Sequence, residues 1–192
     1  NTEIMAVIKA DAYGHGEGDI LKKLCDCGIK YFAVSNLDEA ISVRKHCPDG
    51  EILILGYTPP EYSHELEQYN IIQGVLSLEY AQALNSSAVN KIRCHIKIDT
   101  GMGRLGIRNI KEMKEIEYML KNQDYIHLEG IFTHFSSADE LDLHKTQNQL
   151  LKFKEILDNM EYLPPCIHTS NSAAAMRYPD AFFNTIRLGI SM

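Results

Sequence analysis

Lys9 follows the apolar run Ile4 to Ile8 and precedes the turn-forming stretch ADAYGHG, residues 10–16. A run that is apolar on both faces suits a strand in a parallel sheet covered on both sides. An amine at the end of such a strand can attack a carbonyl, provided desolvation or a nearby cation lowers its pKa. The competing reading is a surface lysine whose stem snorkels along apolar neighbours.

Four more segments couple reactive side chains to short apolar runs. In HIKIDTGMGRLG (95–106), Gly101 and Gly103 let the backbone turn and bring Arg104 inward, or else the segment forms a glycine-rich turn with an exposed arginine. In the same segment Lys97 and Asp99 share a strand face, where they form a direct ion pair or leave Lys97 in conflict with Arg104. FTHFSS (132–137) places His134 on the face of Phe132, as a core histidine or a working one. HTSNSAAA (168–175) runs from turn formers into helix formers, so Asn171 and Ser172 mark a helix start that either caps or attracts phosphate. TIRLGIS (185–191) puts Arg187 inside a final apolar run.

Eight apolar runs could position these groups: 4–8, 31–34, 52–55, 71–76, 92–98, 126–132, 166–168 and 185–189. Helical patterns separate them at Asp19–Cys27, Leu37–His46, Pro60–Gln68, Leu78–Ser86, Ile110–Lys121 and Glu140–Tyr162. Asn36 and Asp38 are cap candidates, Pro59 and Pro60 open the third helix, and Gly28 closes the first. Alternation of this kind implies parallel strands with right-handed crossovers, hence an α/β fold of the (β/α)8 TIM-type barrel, with catalytic groups at the C-terminal strand ends. An open doubly wound sheet is the alternative, weakened because no G-x-G-x-x-G follows the first run.

The 192 residues suit one domain, and a net charge of -7 with scattered Lys and Arg excludes a nucleic-acid footprint. The five cysteines are odd in number and the histidines lack metal-ligand spacing, so neither disulfides nor a catalytic metal is expected. No signal peptide or apolar span is visible, so the piece is expected to be soluble and cytoplasmic. Both ends fall on apolar runs, so a longer parent chain truncated at both ends is expected, in which a membrane module could precede residue 1.

KADAYGHG and HIKIDTGMGRLG resemble the cofactor-lysine and arginine segments of alanine racemases, pyridoxal 5'-phosphate enzymes that interconvert L- and D-alanine. The resemblance spans Lys9 to Ile190, with the motifs in family order. It implies a Schiff base between Lys9 and pyridoxal 5'-phosphate, with Arg104 donating to the phenolic oxygen and Lys97 carbamylated to hold that arginine. His134 would orient Arg187, and Arg187 would donate to the pyridine nitrogen. Because arginine stays protonated, that nitrogen must remain unprotonated, which makes the ring a weaker electron sink than it is beside a carboxylate. Tyr13, Asn171, Ser172 and the backbone of Gly189 and Ile190 would bind the phosphate. The second acid or base would be a tyrosine on a C-terminal β domain of a partner subunit, which nothing here matches, so the resemblance implies a homodimer. It also implies D-amino acid supply for peptidoglycan. A serine racemase of the glycopeptide-resistance type and a single-domain pyridoxal-phosphate homeostasis protein are the other readings.

Overall fold

Each apolar run becomes a strand in a computed structural model that describes residues 2–192. In order these are β1 (Glu3–Val7), β2 (Tyr31–Val34), β3 (Glu51–Ile54), β4 (Ile72–Val75), β5 (Ile92–Lys97), β6 (Ile126–Phe132), β7 (Cys166–His168) and β8 (Thr185–Leu188). All pairings are parallel, and β8 returns to β1 with Met5 opposite Arg187, so the sheet closes as a barrel in sequence order. The open-sheet alternative is thereby excluded. The connecting helices are α1 (Lys9–Gly14), α2 (Glu17–Asp26), α3 (Leu37–His46), α4 (Ser63–Gln68), α5 (Leu78–Ser87), α6 (Ile110–Lys121), α7 (His144–Asp158) and α8 (Ser172–Arg177).

Local signals account for most helix ends. Asn36, Ser77, Asn109 and Asn171 each accept a backbone N–H from three residues ahead, satisfying a donor the helix cannot. Asp38, a cap candidate from sequence, lies inside the first turn of α3 instead. The helix expected over Glu140–Tyr162 contracts to α7, because the Asp142 carboxylate accepts the His144 N–H and starts it late. Among the described residues no helix is long and apolar enough to cross a membrane.

The side-chain alternation of each strand divides the core in two. Ala6, Ile8, Cys94, Ile96, Ile98 and Ile131 point outward into the main apolar cluster beneath the helices. The barrel interior is itself divided. Met5, Val7, Ala33, Leu53 and Ile72 fill the β1–β4 side with apolar atoms. The β5–β8 side buries His95, Lys97, His168, Thr185 and Arg187, where a barrel of this type usually packs branched aliphatics. A register shift between Cys94 and His95 brings Gly130 opposite His95. A Cβ at Gly130 would stand 2.5 Å from the imidazole ring, so the missing side chain makes room for the histidine.

The chain leaves β1 through a left-handed turn. Ala10, Asp11, Ala12 and Tyr13 take φ of +52 to +58°, a conformation that costs L-residues about 1–2 kcal/mol each. Tertiary contacts hold it. The Glu39 carboxylate accepts the N–H groups of Ala10 at 2.9 Å and Ser35 at 2.7 Å, while Asp11 accepts that of Glu17 at 2.6 Å.

Two outcomes follow from these contacts. Glu39→Ala removes both charged acceptors and should lower urea-unfolding stability by about 2–4 kcal/mol, with faster amide exchange around Lys9. Burial first, and nearby arginines second, push His95 and His134 down to about 3 and His168 well below its ordinary 6.5. The unfolded chain therefore binds protons that the folded chain refuses. Stability is fully present above about pH 6.5 and falls as pH drops below it, approaching about 1.4 kcal/mol per pH unit for each histidine. Urea titrations between pH 7 and pH 5 measure that slope, which His168→Phe should reduce.

Candidate active site

A cavity of about 490 Å³ opens at the C-terminal ends of the strands, where a parallel barrel concentrates its loops. Lys9 enters it from the end of β1 and Tyr13 from the left-handed turn. Lys97 reaches it from β5, Arg104 from the loop that follows, and His134 from just beyond β6. Asn171 and Ser172 arrive from the start of α8, and Arg187, Gly189 and Ile190 from β8 and its exit. All ten expected site residues therefore share one cavity, although they come from five separate stretches of chain.

Arg187 is the most constrained of them, at 2% exposure. Its Nη1 donates to His168 Nδ1 at 2.7 Å and to the His168 carbonyl at 3.1 Å. Its Nη2 donates to the carbonyls of Thr133 and Thr169 at 2.7 and 3.0 Å, and lies 3.4 Å from His134 Nδ1. Nε–H is left without an acceptor among the described residues. The Phe132 ring lies 5.5 Å from the guanidinium carbon. Burial pulls the group down to about 10, so it is still a cation at neutral pH.

His134, expected to orient Arg187, makes the longest of these contacts. His168 makes the shortest, jointly with the Thr133 carbonyl, and behind it His95 Nδ1 stands 2.9 Å from His168 Nε2. Sequence reasoning considered His168 only as a metal ligand and passed over His95. The available signal was period two on β5, which puts His95 on the inward face of Lys97.

Lys97 is buried beside two arginines. Burial, then Arg104 and Arg187, lower its amine to about 8 against a small opposing pull from Asp99. The direct Lys97–Asp99 ion pair, the competing reading of this segment, does not form. Asp99 instead accepts the N–H groups of Gly101, Gly103 and Arg104 at 3.0–3.1 Å and folds the glycine loop around itself. Burial raises its carboxyl, but these backbone donors outweigh that and hold it below the usual range. Gly106 has φ +125°, and a Cβ there would stand 2.7 Å from the Lys97 carbonyl, so that loop needs glycine on both counts. Arg104 reaches the cavity from this loop but remains solvent-exposed at the rim.

The far end of the cavity is a small polar cluster. Ser172 Oγ accepts the Gly189 N–H at 3.0 Å, and a Cβ on Gly189 would stand 2.5 Å from Tyr13 Oη. Asn171 is the N-cap of α8, accepting from Ala174 and donating to the Phe135 carbonyl. From α7, Gln149 donates to the His134 carbonyl and accepts from Ser136, fixing the loop after β6.

The residues present fit pyridoxal phosphate. Lys9 supplies an amine at the end of β1, and Arg187 on the neighbouring β8 supplies a donor with no protein acceptor among the described residues. The missing side chain at Gly189 lets the Tyr13 hydroxyl close on the backbone beside Ser172, which gathers two hydroxyls at the end of the cavity where a phosphate would be held.

The family profile described as alanine racemase, N-terminal domain, matches residues 1–192. The alanine racemase of Geobacillus kaustophilus is 39% identical over 193 residues, covering all of this chain and 50% of that protein. The solved alanine racemase of Clostridium difficile 630, in complex with cycloserine, superposes with a TM-score of 0.93 at 40% identity, over 98% of this chain and 54% of that one. The enzyme from E. faecalis gives a TM-score of 0.94 at 38% identity, over 98% and 52%. The chain thus spans about half the length of the relatives it matches. It belongs to the alanine racemase family and corresponds to the N-terminal domain of that family.

Proposed function

We propose that the protein is a pyridoxal-phosphate-dependent racemase interconverting L- and D-alanine. The observation that carries this reading is the convergence on one cavity of the Lys9 amine and an Arg187 Nε–H that no protein acceptor takes. When bound, pyridoxal phosphate supplies an aldehyde for amine condensation and a ring that draws electrons from the amino acid Cα. Lys9 is the attachment point. Once displaced by the substrate amine, its Nζ serves as the base that takes the Cα proton on its own face.

Arg187 holds the ring nitrogen by donation and, as a permanent cation, keeps a proton off it. His134, neutral at working pH, buttresses the guanidinium without titrating. Arg104, at the rim, would donate to the phenolic oxygen, and Ser172, Tyr13, Asn171 and the backbone of Gly189 and Ile190 would hold the phosphate. Lys97, lowered to about 8, is neutral in about a tenth of molecules at pH 7, far more than an ordinary lysine, and the neutral amine is the form that adds carbon dioxide to give a carbamate. The resulting anion offsets Arg104 and keeps it aimed.

Racemisation needs a second proton carrier on the opposite face. We assign it to a tyrosine of a C-terminal β domain from the partner subunit of a cytoplasmic homodimer, because Tyr13 lies on the Lys9 side, with Lys9 Nζ 5.9 Å from its ring.

Borohydride reduction of the loaded protein should label Lys9 alone, and Lys9→Ala should abolish both the label and deuterium exchange at alanine Cα, by about a thousand-fold or more. Cofactor binding without exchange in the full-length protein would point to a carrier instead. Native mass spectrometry under carbon dioxide should show one carbamate at Lys97, lost on acidification and absent in Lys97→Arg.

A further inference from the structure

We propose that His168 and His95 are positioning residues that brace Arg187 from the side away from the cavity, through a one-way hydrogen-bond chain from guanidinium to first imidazole to second imidazole. The inference deepens the racemase reading and rests on it for its functional consequence, though not for its geometry.

The direction of the chain is forced. Arginine has donors only, so at 2.7 Å its Nη1 obliges His168 Nδ1 to accept. A neutral His168 then carries its proton on Nε2 and donates it 2.9 Å away to His95 Nδ1. His95 must in turn carry its proton on its own Nε2, facing a second cavity of about 490 Å³ at the opposite mouth of the barrel. The two rings are built in. Phe132 stacks on His168 with centroids 4.8 Å apart and planes 5° from parallel, and the absent Cβ of Gly130 admits His95.

His95, Cys166 and His168 also bring three ligand-type atoms within 4.8 Å of one another, which raises a metal site as the rival reading. The arginine argues against it. A metal on His168 Nε2 requires the proton to move to Nδ1, directly into the Nη1 donor, and sets a cation beside a buried guanidinium.

The chain contains no carboxylate, which decides what it does. A carboxylate behind Arg187 would neutralise its charge, whereas two neutral imidazoles fix its direction and leave it fully cationic toward the cavity. All the donors of Nη1 and Nη2 are then committed, and Nε–H is the one left without a protein acceptor among the described residues. The charged and titratable groups around the rings are Arg187 on β8, Arg93 on β5, Glu129 on β6 and Cys166 on β7, with Glu3, Tyr31, Glu51 and His127 at the same mouth; Glu51 and Glu129 pair with Arg93, so protonating either ring would add a cation beside the unpaired charge of Arg187.

The tautomers are tested directly by long-range nitrogen–proton NMR of the protein labelled with 15N-histidine, first without and then with pyridoxal phosphate. Both rings should be Nε2–H forms and should not titrate between about pH 5.5 and pH 8.5. Two substitutions at His168 separate positioning from simple packing. His168→Asn keeps an acceptor near the Nδ1 position and should bind pyridoxal phosphate within about three-fold of the natural protein, while His168→Phe keeps the stacking but not the acceptor and should bind about ten-fold more weakly or worse. The Phe variant should also gain a pH-dependent step in the absorption of the bound cofactor that the Asn variant lacks. An Nδ1–H form at either ring, titration near the ordinary histidine value, or equal binding and pH behaviour in the two variants would overturn the proposal. If the natural protein took up no pyridoxal phosphate, the racemase reading would fall, and the tautomers of the unloaded protein would still decide the chain.

Discussion

A guanidinium buried inside a barrel with no carboxylate to pair with is the constraint on which the rest of this site depends. Burying a cation is costly unless its hydrogen bonds are met. Arg187 meets them with three carbonyls and an imidazole, all neutral, so its charge is solvated but not cancelled. Those acceptors are the backbone of Thr133, His168 and Thr169, at the C-terminal ends of β6 and β7, so the strand ends themselves orient the arginine. The polar half of the interior follows from this. His168 must sit behind Arg187, His95 behind His168, and Gly130 must lack a side chain for His95 to fit.

The apolar half does different work. Met5, Val7, Ala33, Leu53 and Ile72 make β1–β4 a rigid wall, and Lys9 is held at its top by a strained turn. Strain of that kind persists only where surroundings over-determine it. A hydrogen bond from a backbone N–H to an ionised carboxylate contributes about 1.5–3 kcal/mol, so the Ala10 bond to Glu39 offsets part of the cost of four left-handed residues, and the Ser35 bond fixes the carboxylate that makes it. A lysine on a floppy loop would have many orientations to lose. Here Tyr13, at the end of the same turn, is carried toward Gly189, so one local conformation sets the positions of two cavity residues at once.

These two halves were not equally legible in the amino-acid sequence. All eight strands showed as short apolar or alternating runs, β1 to β4 because apolar residues fill both faces and β5 and β8 because polar residues face the interior between apolar ones, and the caps at Asn36 and Asn171 are local chemistry. The ten expected cavity residues were legible through motif resemblance; sequence position alone left a structural alternative open for Lys9, Lys97, Arg104, His134, Asn171 and Ser172. The left-handed turn was not, because Ala-Asp-Ala-Tyr has no intrinsic preference for positive φ and the carboxylate that imposes it lies 29 residues away. Nor was the imidazole chain, since His95 and His168 are 73 residues apart and meet only because the barrel closes. The Lys97–Asp99 pairing failed for a related reason. Sharing a strand face does not commit a carboxylate, and the Asp99 carboxylate found closer donors in the glycine loop that follows it.

The charge balance of the cavity argues for what completes it. Lys9, Lys97, Arg104 and Arg187 all line a space whose one lining carboxylate, Asp139, is solvent-exposed. Asp99, the nearest buried acid, is already spent on backbone donors. Four cationic groups with so little opposing charge repel one another, and that repulsion adds to burial, the larger cause, in lowering the Lys97 amine. A dianionic phosphate, a phenolate and a substrate carboxylate each relieve it, as does conversion of Lys97 to a carbamate. In the proposed reading the electropositive interior is therefore part of cofactor selection: an anionic, acceptor-bearing ring is stabilised where a neutral one is not. The same field favours loss of a Cα proton, because the negative charge that develops there forms within reach of cations that had no partner of their own.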